Sequence, residues 1–254
     1  MDLSRIKNRL SNLQTTNNQK SHLWKPSPGR QQIRIVPSKF DKDYPFIELY
    51  FHYGINGKSI LSPKSFNEKD PILEFGEKLK LSGNKDDYLM SRKLTPKLRT
   101  YSPIIVRGEE VEGVRYWGFG KMVYQELLSI MSDEDYGDIT DPKLGRDVVI
   151  EFKTAEETGK SFPTTQIRVK PNQSQLNEDE NVVKRWLEEQ KSVKDLFKHY
   201  SYDEMNEIMN NWLDNVPSED DPVVYSKIPA LNTSFSLQVR YNLSAMDPSE
   251  YPDS

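Results

Sequence analysis

Apolar positions along the chain change their period twice. Near the start, Leu3, Ile6, Leu10 and Leu13 follow one another at spacings of three, four and three residues, which puts them on one stripe of a helix. Arg5, Lys7 and Arg9 lie largely off that stripe, and residues 14–21 carry no period at all. Residues 1–23 read as a short, detachable basic arm, or as an ordinary N-terminal helix packed on its own domain. From residue 32 the period shortens to that of strands. Residues 32–36 alternate polar and apolar before Pro37, residues 45–53 are aromatic and β-rich, and Asn56-Gly57 offers a hairpin turn into 59–61. Residues 100–107, 114–119, 147–153 and 165–169 add short strands, interrupted by helices at about 69–81 and 121–131. Strands of this length joined by long irregular connections predict a small, partly open barrel with helical insertions, mostly β with an α+β character. After Pro171 helical spacing returns. Residues 181–190, 193–199 and 202–213 read as acidic helices anchored by Trp186, Leu187, Leu196, Phe197, Met205, Ile208, Met209 and Trp212. Residues 223–254 have no clear period.

Charge sharpens this division. The 254 residues hold 35 Lys+Arg and 39 Asp+Glu, a formal net charge of −4. Residues 1–170 carry 28 basic and 23 acidic side chains, whereas residues 171–254 carry 7 and 16. A basic body followed by an acidic end points to a polyanion partner and a self-shielding tail. No apolar run exceeds three residues. That excludes a membrane-spanning helix, which needs ~20, and a signal peptide, which needs an apolar stretch of ~7–15. The absence of Cys removes disulfides, thiolate zinc sites and thiol nucleophiles together. The chain reads as soluble and intracellular.

Several short motifs imitate catalytic or binding signatures and fail on spacing. Gly54-Ile55-Asn56-Gly57-Lys58-Ser59 ends like a phosphate-binding loop, but two residues separate its glycines where four are required. Thr158-Gly159-Lys160-Ser161 shares the ending, with Thr154 where the first glycine belongs. Both read as hairpin turns. Asp133–Asp138 resembles a calcium loop, yet Asp138 stands where Gly is required and Leu144 where Glu is required. His22, His52 and His199 are isolated in sequence, and no nucleophile–base pair can be nominated, so an enzyme is disfavoured.

One segment does carry chemistry. Residues 85–121 contain Lys85, Arg92, Lys93, Lys97, Arg99, Arg107, Arg115 and Lys121, with Tyr88, Tyr101, Tyr116, Trp117 and Phe119 threaded among them. Cations fix a phosphate backbone, while rings stack on unpaired bases at roughly 1–3 kcal/mol each with little regard for sequence. Duplex DNA hides those base faces, so the pattern selects single strands. The opposing reading is a barrel with core aromatics and a solvated basic face. Successive strand residues point to opposite sides, so one ring of each neighbouring pair belongs to the core. Arg92 and Lys93, four and five residues beyond Tyr88, suit a loop-and-strand surface better than a groove-reading helix.

The chain resembles the single-stranded DNA-binding proteins of T-even-type bacteriophages, the gene 32 protein family. The matching pieces are Ile33-Arg34-Ile35-Val36-Pro37-Ser38-Lys39, Asn84-Lys85-Asp86-Asp87-Tyr88 followed by Arg92-Lys93, and Tyr101-Ser102-Pro103-Ile104-Ile105-Val106. Trp117-Gly118-Phe119-Gly120-Lys121, Asp138-Ile139-Thr140-Asp141-Pro142 and Asn172-Gln173-Ser174 complete the series, in order, from about residue 24 to 215. The resemblance implies an OB-fold core over 24–177 that holds single-stranded DNA in a basic, aromatic-lined cleft. It implies DNA contacts at Arg34, Tyr88, Arg92, Lys93, Tyr101, Trp117 and Phe162, to which the charge pattern adds Lys97, Arg99, Arg115 and Lys121. It also implies a cooperativity arm, loosely echoed here by Arg5, Lys7 and Arg9, and an acidic C-terminal region, 178–254, that recruits replication and recombination proteins. Family members commonly hold zinc with one His and three Cys. His52 stands at the matching position, but without Cys that site cannot form, so the insertion at 62–84 is expected to be metal-free and held by Phe66, Ile72, Leu73, Phe75 and Leu79. The chain's end offers only Asp247, Glu250 and Asp253, so either the acidic helices of 178–221 supply the acidic run or the sequence stops before it.

The expected function is a non-catalytic protein that coats single-stranded DNA in replication, recombination and repair, in the cytoplasm of an infected bacterial host. The rivals are an RNA-binding regulator on the same barrel, a protein-interaction scaffold built on the acidic helices, and a nuclease.

Overall fold

The computed structural model describes residues 22–55 and 57–214. Arg5, Lys7 and Arg9 of the expected arm, Asn56 of the expected turn and residues 223–254 lie outside them. In chain order the strands are β1 (Leu23–Trp24), β2 (Gly29–Ile35), β3 (Ile47–Ile55), β4 (Lys58–Leu61), β5 (Lys97–Val106), β6 (Arg115–Phe119), β7 (Arg146–Lys153) and β8 (Thr164–Gln173). The helices are α1 (Pro71–Leu81), α2 (Lys85–Leu94), α3 (Lys121–Met131), α4 (Ala155–Thr158), α5 (Glu180–Glu188) and α6 (Tyr202–Asp214). The described chain divides into two compact units, the first taking residues up to Leu49 with Leu98–Lys198, the second taking Tyr50–Lys97 with the residues from His199.

In the first unit, strands run in the order β1-β6-β5-β2-β7-β8. β1 lies parallel to β6, and the remaining neighbours are antiparallel. The alternation of β2 explains its central place. Ile33 and Ile35 turn to one side, where they join Ile104, Val106, Trp117, Phe119, Val148, Ile150, Ile167 and Val169 in a buried cluster. α3 closes this cluster with Val123, Tyr124 and Leu127, one face of a helix. Each fully buried aliphatic side chain contributes ~1.5–3 kcal/mol, so the cluster is the main source of the unit's stability. The opposite face of the sheet is partly covered as well: Ile105 and Val36 meet Leu176 and Trp186 of α5.

In the second unit, β3 and β4 pair with Ile55 opposite Lys58, and Gly57 takes φ +69°, a left-handed value that glycine adopts at little cost. α1 begins at an Asp70 cap followed by Pro71, the residue that fits the first helical position. Ile72, Phe75 and Leu79 of α1 pack with Met90 and Leu94 of α2 and with Met205 and Met209 of α6. A Cβ at Gly76 would stand 3.3 Å from Leu94 Cβ, which shows how closely α1 and α2 approach.

Helices expected at 69–81 and 121–131 appear as α1 and α3. α2 is a departure, because residues 85–94 form a helix where a loop-and-strand surface was expected. The acidic C-terminal segments also part company. α5 packs on the first unit through Trp186, and α6 packs within the second through Met205 and Met209. No described helix is long and apolar enough to cross a membrane.

Candidate nucleic-acid interface

In the second unit the chemistry lies on α2. Its sequence makes a helix for local reasons: Asn84 accepts from the Asp86 amide as N-cap, Asp86 and Asp87 sit at the positive end of the helix dipole, and Arg92 and Lys93 sit at the negative end. Asp87, Met90, Ser91 and Leu94 face inward. The outward stripe therefore consists of Lys85, Tyr88, Leu89, Arg92 and Lys93, at the three- and four-residue spacings that make helix neighbours. Tyr88 is 46% exposed, so its ring is open to a base while cations flank it on the same face. Lys97, also exposed, donates from Nζ to the Arg92 carbonyl at 3.1 Å.

In the first unit the expected residues divide. The hydrogen-bond register sets Tyr101 against Gly118 and Ser102 against Trp117, so alternate residues of β5 and β6 point to opposite faces. Trp117, 1% exposed, points into the core against Trp24, ring centroids 6.2 Å apart. A ring with no open face cannot stack on a base, so the contact expected of Trp117 is corrected to a packing role. Tyr101 and Tyr116 lie on the other face and are covered there. The Tyr101 ring sits 5.5 Å from Phe197 and lies so close over Gly118 that a Cβ on residue 118 would fall 2.6 Å from its edge. The Tyr116 hydroxyl donates to the Lys191 carbonyl, and burial pushes that phenol up to about 12. Of the five rings threaded through 85–121, only Tyr88 is open to solvent.

Arg34 is corrected in the same way. It is fully buried, and its Nε donates to Asp147 at 2.9 Å while Nη1 reaches the Asp141 carbonyl and Nη2 reaches Ser174. Arg107 donates to the same Asp147 oxygen. Burial opposes ionisation of Asp147, but the two guanidiniums prevail and hold its carboxyl below the usual range. With Arg107, which also reaches the Gln175 and Leu176 carbonyls, this clasp ties the 141–147 and 174–176 segments to the sheet, and Arg34 has no exposed surface from which to meet a phosphate. Arg99 donates to the Gly118 carbonyl, and Arg115 pairs with Glu109 at 2.6 Å with only 12% of its side chain exposed. Lys121 is exposed at the first turn of α3, where no acid or side-chain cap competes for an anion. Phe162, 78% exposed, stands between α4 and β8. The four residues Tyr88, Arg92, Lys93 and Lys97 thus share one region of the second unit, while Lys121 and Phe162 are open in the first. Phe40, Tyr44 and Tyr53 are further exposed rings, and Lys39 and Lys42 flank the first two in sequence, a signal diluted there by Asp41 and Asp43.

The residues around His52 do not fit a zinc ion. His52 is fully buried, with Nδ1 2.8 Å from the Leu94 carbonyl and Nε2 2.8 Å from Asp70 Oδ2. Both ring nitrogens are thereby engaged. Asp70 also binds the Ser62 hydroxyl and, through Oδ1, the amides of Ile72 and Leu73. Burial would raise the Asp70 carboxyl, yet the His52, Ser62 and Leu73 contacts lower it overall. Among the described residues no group of three or more His, Cys, Asp or Glu is arranged to hold a metal.

The second unit thus offers Lys85, Arg92 and Lys93 beside the open ring of Tyr88 on one helix face, and the first unit offers Lys121 and Phe162 as separate exposed groups. The model of the family described as gp32 DNA binding protein like matches residues 27–215, well over half of the chain, and the chain belongs to that family. No curated protein matches it.

Proposed function

We propose that this chain is a single-stranded DNA-binding protein that coats transient single strands during replication, recombination and repair, without catalysis of its own. The observation that carries the reading is the outward stripe of α2, where Tyr88 stands among Lys85, Arg92 and Lys93 on one helix face. The cations neutralise successive phosphates, and the ring stacks on a base that only an unpaired strand exposes. Membership of a DNA-binding family supports the same ligand. The order β6-β5-β2-β7-β8, with α3 between β6 and β7, supports an OB-fold core.

Binding the unpaired form alone shifts the duplex–coil equilibrium by mass action, which is how such a protein melts hairpins. In this reading the arm with Arg5, Lys7 and Arg9 links neighbouring copies along the strand. Acidic residues beyond 178 engage replication and recombination proteins, no metal is needed, and the protein acts in the cytoplasm of an infected bacterium. The test is a fluorescence titration on oligo-dT at several salt concentrations, with duplex DNA and matched RNA as competitors. Affinity should fall with salt at a slope of about −0.7 per phosphate contact. Arg92→Ala should reduce that slope by one such contact. A flat salt response, or equal binding to duplex, would sink the proposal.

A further inference from the structure

The face of β2, β7 and β8 turned away from the core carries a charge pattern that the site above does not use. Pairing sets Arg30 opposite Glu151 and Glu151 opposite Gln166, while Gln32, Val149 and Arg168 form the next row. Lys153, two residues along β7 from Glu151, emerges on the same side. The inward residues of these strands, Val148, Ile150, Ile167 and Val169, are buried, so the outer rows face solvent. There they line a groove of about 300 Å³ with Arg30, Glu151, Gln166 and Arg168 at its walls and Val149 in its floor.

Glu151 is the feature that points to a ligand. Its Oε2 lies 3.1 Å from Arg30 Nε and its Oε1 lies 3.0 Å from Lys153 Nζ, so one carboxylate bridges two cations. The Arg30 and Lys153 side chains are 71% and 50% exposed, the regime in which ion pairs are weak and exchange readily. Arg168 is exposed beside them. Three cations against one carboxylate leave the face positive, and neighbouring strands ~4.8 Å apart set the cations within reach of a few consecutive nucleotides.

We infer that this sheet face is a second phosphate track: the backbone of single-stranded DNA crosses it, contacts Arg168, and displaces Glu151 from Arg30 and Lys153. The inference rests on the DNA-binding reading and extends it to a surface distinct from the α2 stripe. Because Glu151 competes with phosphate, removing its charge has the opposite sign to removing a cation. A purely structural role for these pairs cannot produce that reversal.

The experiment is the oligo-dT titration with Arg168→Ala, Arg30→Ala and Glu151→Gln, each checked for an unchanged thermal midpoint. The two cation variants should each lower the log–log salt slope by about 0.7, equivalent to about 2.6-fold in affinity for each fourfold change in salt. Glu151→Gln should tighten binding and steepen the slope. If wild-type protein binds and all three variants titrate identically to it, the inference falls while the α2 reading stands. If wild-type protein binds no oligonucleotide at low salt, the DNA-binding reading falls and takes this track with it.

Discussion

Tyr88 and Trp117 separate the two fates open to a ring that sequence places among cations. Tyr88 projects from the outer face of α2, whereas Trp117 occupies the inward side of β6 against Trp24. Replacing Trp117 by Ala should cost about 3–5 kcal/mol of stability, read from urea unfolding, because it leaves a cavity in the core. Tyr88→Ala should leave stability within about 0.5 kcal/mol and weaken oligo-dT binding by about 1–3 kcal/mol with its salt slope unchanged. If the Trp117 variant unfolds like wild type and loses only DNA affinity, the ring roles assigned here are reversed. Arg34 teaches the same lesson for cations: a guanidinium bonded to Asp147, Asp141 and Ser174 and wholly buried among them has no surface to offer a ligand. Alternation along β2 was legible and placed Arg34 opposite the core, but that its side would be sealed depended on the distant segments 141–147 and 174–176.

At the scale of elements, α2 and the His52 tie are the informative cases. The apolar pattern of residues 85–94 is thin, with Met90 and Leu94 alone buried among its large apolar residues, so periodicity did not reveal a helix. The end signals did exist in the sequence: Asn84 as cap, two aspartates in the first turn and two cations in the last. The tie joins three elements, since Asp70 caps α1, His52 lies on β3, and the Leu94 carbonyl ends α2. Asp70→Ala removes the cap and leaves the buried His52 ring without its Nε2 partner, a loss of about 3–5 kcal/mol by the measure of broken buried pairs. Asn84→Ala, a cap on an exposed turn, should cost about 1 kcal/mol. Thermal melts of the two variants give the comparison. Equal, small losses would show that the tie is not what holds the second unit. A chelator should leave the wild-type melt unmoved, because hydrogen bonds occupy both His52 nitrogens.

Over the whole molecule, the chain enters the second unit after Leu49, returns at Leu98 and re-enters it with His199. Each unit contains a buried aspartate held below its usual range, Asp147 in the first and Asp70 in the second. A carboxyl depressed on folding stabilises the native state above its unfolded pKa of ~3.9, and that stability is lost as pH falls through the lower folded value. Stability should therefore be level with respect to these groups above about pH 5 and decline below about pH 4, measured by urea midpoints across that range; a midpoint that rises on acidification would contradict the assignment. Asp147→Asn should flatten the decline. Local sequence determined strands β2 to β8, α1, α3 and the positive character of the body, because period, caps and charge are properties of neighbouring residues, whereas the two-residue β1 exists only through its pairing with β6. Only the tertiary structure decided which rings and cations are open to a ligand. That outcome depends on which distant segment covers each sheet face: α5 and Phe197 seal one part of it, and nothing in the local pattern of β5 or β6 records their arrival.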